Sequence, residues 1–545
     1  MNRLRSLVRL ERRQLLCGAV AAGALQLASP FVVPARSQPA PSRDGILKIG
    51  VSSATTTLDP HFFHLTANME IDKLIYSALV TQDAHMGVIP DLAVSWKALD
   101  DTHWQFKLRE GVTFQDGTPF TPDDVVFTYQ RARNVPNSPG SFQQFLKHVA
   151  DVKVVDATTI VVETTQPDPI LLNELMNVWI VSRKIGANAT THDYNSLKTA
   201  IGTGPYRVVK WVPGAQVTLE RYDGYFGTKP EWKQVIQTAM VNDGARVSAL
   251  LSGGVDMIGG VPTADVVLLK KRPDIAFSTL EADRCFFIQL DVSRDNSPFV
   301  TDAEGRPMTK NPLKDVRVRQ ALSIAIDREA LVTRVMQNQA VAASQFMPDW
   351  VPGTSAKMKP VAYDLPGARK LLAEAGYPNG FGLTLDATND RYINDSEVAQ
   401  VVGQMFARAG LEMKVDAMPQ ALFFPRAVKR AFSASLEGNS SDTGEPLSQL
   451  EYLLSTFDAA KGMGLGNFGR YSDPHFDHLI DVASATLDDA KRNALLAAAY
   501  EYAIGEQYAV LPMYFPIDSW AMRKGLTYTG YPQEMTVASL VTTTR

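Results

Sequence analysis

Residues 90–132 read PDLAVSWKALDDTHWQFKLREGVTFQDGTPFTPDDVVFTYQRA. Within this stretch Trp104-Gln105-Phe106-Lys107-Leu108 alternates apolar with polar side chains, the period of a half-buried strand. Turns follow at Arg109-Glu110-Gly111 and Gln115-Asp116-Gly117-Thr118-Pro119, where Gly and Pro stand in turn positions. Pro122-Asp123-Asp124 then opens an apolar periodic run, as expected at a helix N-terminus. Working outward, Ile46 to Val51 reads as a strand and Met69 to Val80 as a helix. Val152 to Asp156 and Thr159 to Glu163 form a hairpin across Ala157-Thr158. A glycine-rich loop, Gly202-Thr203-Gly204-Pro205-Tyr206, leads into short alternating strands at Tyr206 to Val212 and Gln216 to Arg221. Arg246 to Leu251 is a short helix.

Beyond a polar loop from Asp295 to Asn311, Asp315 to Arg328 reads as an amphipathic helix. Its arginines are taken as a solvated face with intrahelical pairs to Asp315 and Glu329, rather than as ligand contacts. Strand and helix patterns then alternate at Leu383 to Ala387, Glu397 to Ala409 and Glu412 to Ala417. A long helix follows at Asp488 to Ile504, and a strand at Val510 to Tyr514. This order predicts an α/β protein, and its length predicts two to four domain-sized units.

The first 43 residues hold seven arginines, no lysine and one acid, Glu11, before an apolar run from Leu15 to Ala28. That run is shorter than the roughly 20 residues a membrane-spanning helix needs. It fits the apolar part of an export signal, with small residues around Ala35-Arg36-Ser37 as a cleavage region. Arg12-Arg13 resembles a twin-arginine signal, with ordinary Sec export as the alternative. Cys17 precedes the apolar run, the wrong side for a lipid anchor. Without this segment the chain retains 47 basic against 57 acidic side chains, net −10. Such a balance argues against nucleic acid and against anionic membrane surfaces as partners. Only Cys285 would remain, so in an oxidising compartment the fold must rest on its core rather than on disulfides.

Signatures of chemistry are scarce. The sequence has no Gly-x-Ser-x-Gly elbow, His-Glu-x-x-His pair, Walker loop or EF-hand loop, and no cofactor is expected. Gly464-Leu465-Gly466-Asn467-Phe468-Gly469 matches the dinucleotide fingerprint by letter. It lacks a preceding strand and a following helix, and is read as a surface loop. His61/His64 and His475/His478 have a spacing that a metal could use on a helix. No cysteine or dense carboxylate set accompanies either pair, which favours surface or pocket-wall roles.

From Ile46 to the end, the order of these pieces resembles the peptide/nickel class of bacterial extracellular solute-binding proteins, family 5. The 90–132 stretch and Gly202 to Tyr206 are its most recognisable parts. The resemblance implies a two-lobed periplasmic binding-protein fold with an extra subdomain in the first lobe and a hinge between lobes. The expected division is an export signal and linker (1–43), lobe I start (44–72), inserted subdomain (73–185), lobe I (186–280), lobe II (281–505) and the lobe I return (506–545).

Gly438-Asn439-Ser440-Ser441-Asp442-Thr443-Gly444-Glu445-Pro446 resembles the family's Gly-Trp-x-x-Asp-x-x-Asp/Glu-Pro motif. The resemblance assigns Asp442 to the ligand's α-ammonium, and Arg391, beside Tyr392, to its carboxylate. Both lie in loops after strands, where α/β sheets place ligands. Burial of a zwitterion requires both charges to be paired. Asn439 stands where many members carry tryptophan, which points toward a more polar ligand such as a modified peptide, an opine or a sugar conjugate. Phe62, Phe63 and Trp520 are candidates for the cleft wall, against core packing as the commoner fate of aromatics.

The expected role is capture of a small peptide or peptide-like solute by hinge closure, without a covalent step, and delivery by a monomeric periplasmic protein to an ABC-transporter permease. The alternatives are a nickel-chelate binding protein, a ligand-presenting sensor and, from another class, an exported hydrolase.

Overall fold

The computed structural model describes residues 45–544. The expected export signal, Arg12-Arg13, Cys17 and the cleavage region lie outside the described residues. Ile46–Val51 is a strand that buries Leu47, Ile49 and Val51 and exposes Lys48. It pairs in parallel with Gln234–Ala239, in the register Ile46↔Gln234 to Val51↔Ala239. Tyr206–Val212 and Gln216–Arg221 extend this sheet as an antiparallel hairpin. A second group is built from Cys285–Leu290, Ala434–Asn439, Gly382–Thr388 and Glu412–Met418. The two groups join into one sheet of thirteen strands.

The join is the strand Val510–Arg523. Its first part pairs with the second group, through Gln289↔Val510 and Phe286↔Tyr514. Its later part pairs with the first group, through Gly259↔Trp520 and Met257↔Met522. The expected boundary at 506 therefore falls just before a strand that serves both lobes. A second crossing runs from Ile275–Glu281, paired with the later part, through Ala282 to Arg284, into Cys285–Leu290. Each group of strands has its own apolar core. Leu47, Ile49, Trp232 and Met522 are buried in the first, and Ile288, Leu322, Leu385 and Phe406 in the second. These are two α/β lobes sharing one strand.

Residues 79–180 contribute a third core, with Leu79, Phe106, Val125, Ile160 and Ile180 buried together. It lies under a four-stranded sheet of Ala93–Asp100, His103–Leu108, Thr159–Thr164 and Val149–Asp156. The helix expected after Pro122 spans Pro122–Ala132, and Asp124 Oδ2 accepts the Thr121 backbone N–H at 2.8 Å. The 152–163 hairpin is present, with Asp156↔Thr159 closing it.

Two expectations need correction. The helix read over Met69 to Val80 spans Thr66–Ile75 instead. Beyond it the carbonyls of Ala78 and Leu79 accept from Leu92 and Ala93, so sheet-like pairing replaces the last helical turn. Here the Gly204 N–H reaches the Ile75 carbonyl at 2.9 Å, and a Cβ on Gly202 would lie 2.1 Å from that oxygen. Only glycine permits this approach.

The arginines following Asp315 are also not all solvated. Arg317 pairs with Asp315 at the surface, with Arg Nη2 2.6 Å from Asp Oδ2. Arg319 is buried and donates to the carbonyls of Gln507, Leu313 and Lys314. Arg328 is buried and donates to the Pro512 and Ser323 carbonyls. Their heads cross the apolar face and donate to backbone carbonyls of neighbouring segments.

Candidate ligand-binding site

A cavity of about 320 Å³ lies where the lobes meet, within the range of small-molecule sites, about 300–1,000 Å³. Ser52, Glu70 and Gly260 line it from the first lobe, and Phe286, Gln339 and Arg391 from the second. The shared strand crosses it with Ile517, Asp518 and Trp520. Three expected residues meet there: Arg391, Tyr392 and Trp520. Tyr392 follows the strand Gly382–Thr388 and donates its hydroxyl to the Gly438 carbonyl at 2.8 Å. Its ring meets Phe286 edge-on, and Phe286 stacks on Tyr514, each with centroids 4.8 Å apart. Trp520 is buried and donates Nε1–H to Thr536 Oγ1 at 3.0 Å.

Arg391 is exposed, its guanidinium 4.9 Å from the Tyr392 ring centroid and 4.5 Å from that of Phe424. Among the described residues no carboxylate forms an ion pair with it. Stacking fixes the plane of the guanidinium and leaves its N–H fork to accept an anion.

The other expected residues lie elsewhere. Phe62 and Phe63 are half-buried and do not line the cavity; the Phe62 carbonyl accepts the Ser138 hydroxyl at 2.7 Å. The Asn439 side-chain oxygen accepts from Gln449 Nε2 at 3.0 Å. Asp442 does not line the cavity either. Its half-exposed carboxylate lies 3.8 Å from His64 Nδ1, and its carbonyl accepts from Asn177 Nδ2 at 3.0 Å, on the seam between the inserted subdomain and lobe II.

Local sequence patterns missed the cavity's densest polar group. Arg284, at the crossing between lobes, makes a two-pronged bridge to Glu534, at 3.0 Å from Nε and 2.9 Å from Nη2. Burial alone would lower the Arg284 pKa, but Glu534, Tyr392 and Asp283 raise it overall, so its charge is firmly held. Asp518 and Asp283 stand nearby, and burial, reinforced by the Glu534 charge, pushes both carboxyls well above their usual range. Asp518 Oδ2 and Asp283 Oδ1 are buried without hydrogen-bond partners. Glu70 accepts the Thr536 N–H at 2.6 Å and Gln237 Nε2 at 2.9 Å, and burial raises it to about 7. The cavity thus offers an unpaired guanidinium and acids short of donors, a combination that can hold a ligand bearing both a carboxylate and a cationic or hydrogen-bonding group.

His61 is fully buried, with Nε2 2.8 Å from the Trp179 carbonyl and Nδ1 2.8 Å from Arg131 Nη1. Burial and the Arg131 charge pull it down to about 3. It is a neutral core residue whose lone pair is already engaged. His475 packs edge-on against Tyr502, and both His475 and His478 are exposed.

The model of the family "Bacterial extracellular solute-binding proteins, family 5 Middle" matches residues 87–461. A dipeptide-binding protein of Escherichia coli (strain K12) is 27% identical over 436 residues, 76% of this chain and 78% of that protein. The glutathione-binding protein GsiB of Shigella boydii serotype 4 is 28% identical over 471 residues, 83% of this chain and 86% of that protein. The solved structure of HbpA2 from Haemophilus parasuis superimposes with a TM-score of 0.77 at 24% identity, covering 92% of this chain and 100% of that one. Two lobes with a cavity at their junction and a family match over most of the chain lead to one conclusion: this chain belongs to family 5 of the bacterial extracellular solute-binding proteins.

Proposed function

We propose that this protein captures a peptide or peptide-like solute in the periplasm by closure of its two lobes, and delivers it as a monomer to an ABC-transporter permease. The observation that carries the reading is Arg391, a guanidinium over two aromatic rings at the cavity wall that forms no ion pair among the described residues. The dipeptide- and glutathione-binding relatives have ligands that carry the carboxylate such a group recognises. Tyr392 and Trp520 supply the wall. Asp442 is the proposed partner of the ligand's ammonium, reached from the adjoining seam, with Asp518 as the acid already inside the cavity. No covalent step is involved; closure draws on contacts that exist only when the lobes meet.

Native mass spectrometry of the purified protein, followed by release of whatever co-purifies, tests the reading. A released peptide or amino-acid conjugate supports it, whereas a nickel complex replaces it. Calorimetry with that peptide then assigns the charges. Arg391→Ala and Asp442→Ala should each weaken binding at least tenfold, about 1.4 kcal/mol. Unchanged affinity in Asp442→Ala, with loss in Asp518→Asn, moves the ammonium contact to Asp518. Turnover of the peptide would overturn the binding-protein reading.

A further inference from the structure

His148, Asp168 and Glu174 are brought together far from any motif. His148 directly precedes the strand Val149–Asp156, whose partner Thr159–Thr164 ends just before Asp168. The pairing Val149↔Thr164 and the bond from Thr165 N–H to the His148 carbonyl, 2.8 Å, fix the two ends side by side. Glu174 projects from the short helix Leu171–Leu175. One ligand atom from each of the three lies within 4.8 Å of the others, and His148 Nδ1 is 3.2 Å from Asp168 Oδ2. That spacing is close to the roughly 3.3 Å between adjacent ligands of a tetrahedral ion with bonds of about 2.0–2.1 Å.

The cluster is buried and crowded with acidic side chains. Asp168 and Glu174 are 1% and 3% exposed. Glu451, on the lobe II helix Pro446–Leu453, joins them through Lys147, whose Nζ is 3.2 Å from Glu451 and 3.8 Å from Glu174. Three carboxyl groups thus gather around one permanent cation. Glu174 Oε2 is buried with no hydrogen-bond partner. An uncompensated carboxylate in a dry site costs several kcal/mol.

We propose that His148, Asp168 and Glu174 form a binding site for a divalent transition metal of the Zn²⁺ kind, at the seam between the inserted subdomain and lobe II. An imidazole with two carboxylates suits such a metal better than Mg²⁺ or Ca²⁺, which prefer all-oxygen sets. Supporting contacts are in place. Asp168 Oδ1 accepts the Ile170 N–H at 3.2 Å, and the Gln166 amide lies 3.3 Å from His148 Nε2. Turning that amide over offers its oxygen to Nε2–H and frees Nδ1 as the ligand. The His148 side chain is 21% exposed and gives the ion a way in. None of the three lines the interlobe cavity, so the site is separate from the solute reading and does not rest on it.

The test is calorimetric titration of the chelator-treated full chain with ZnCl₂, with the fold of every variant checked by circular dichroism. One ion per chain is expected. His148→Ala and the double variant Asp168→Asn/Glu174→Gln should each weaken binding at least about tenfold, the scale on which supporting residues alone act. The pair His475→Ala/His478→Ala should leave it unchanged. Anomalous scattering from a Zn²⁺-soaked crystal reads the position directly, including for a variant that folds poorly. Absence of binding, binding unaffected by His148→Ala, or an ion located at His475 or His478 overturns the proposal.

Discussion

At Glu70, burial lifts the carboxyl to about 7, while the Thr536 N–H and Gln237 pull the other way. The folded pKa lies above the unfolded value near 4.3. Its contribution to stability is therefore complete below about pH 4 and is lost as pH rises through 7. Burial raises Asp91, Asp386 and Glu437 to about 7 as well. The melting temperature should accordingly be higher at pH 5.5 than at pH 8.5, and Glu70→Gln should flatten that decline. A melting temperature that rises over this range would contradict the assignment. At this scale the sequence pointed to Arg391 and Tyr392, which follow a readable strand and line the cavity. It did not reveal Arg284, Asp518 and Glu534. Their meeting depends on the crossing between lobes and on C-terminal segments more than two hundred residues further along, and no local spacing encodes that.

Among the elements, the helix Val316–Ala325 separates two kinds of arginine on one amphipathic surface. Arg317→Met removes an exposed ion pair and should cost at most about 1 kcal/mol. Arg319→Met strands the carbonyls of Gln507, Leu313 and Lys314, and should cost about 2–4 kcal/mol, since each buried orphan costs about 1–3. Urea unfolding of the two variants measures the difference; equal losses would mean that Arg319 is not the donor those carbonyls need. Periodicity identified this helix and the flanking strands, because apolar spacing is a local property. It assigned Arg319 and Arg328 wrongly because a long side chain can cross its own helix face. The 66–75 helix ended early for a similar reason: its stop is set by the distant glycines of 202–204 and by pairing with residues 92 and 93.

For the whole molecule, the seam between the inserted subdomain and lobe II joins apolar contacts, Ile170 beside Leu447 and Leu450 and Met86 beside Met347 and Val351, to polar ones. Asn173 Nδ2 donates to the Thr443 carbonyl at 2.9 Å, Asn177 Nδ2 to the Asp442 carbonyl at 3.0 Å, and Lys147 bridges to Glu451. Asn173→Ala/Asn177→Ala should favour separation of the lobes. Small-angle scattering of the ligand-free variant is expected to give a larger radius of gyration than that of the unaltered protein, and solute affinity should fall several-fold. An unchanged radius would mean that these amides do not hold the seam. The strand and helix order made the α/β class legible in the sequence, and the family resemblance implied the two-lobed plan. The seam was not legible, because Asn173, on the short helix Leu171–Leu175, and Asn177, just beyond it, meet residues 443 and 442, which no local pattern encodes.

The strand Val510–Arg523 carries a consequence for how the chain is made. Both lobes wait for this segment, which follows every other strand of the sheet along the chain, before either can complete its pairing. Until it arrives, Cys285–Leu290 and Met257–Gly259 each present an open edge to any strand that passes, the usual start of aggregation. A product cut short before Val510 would therefore lose both halves at once, and neither lobe is a promising unit to express alone.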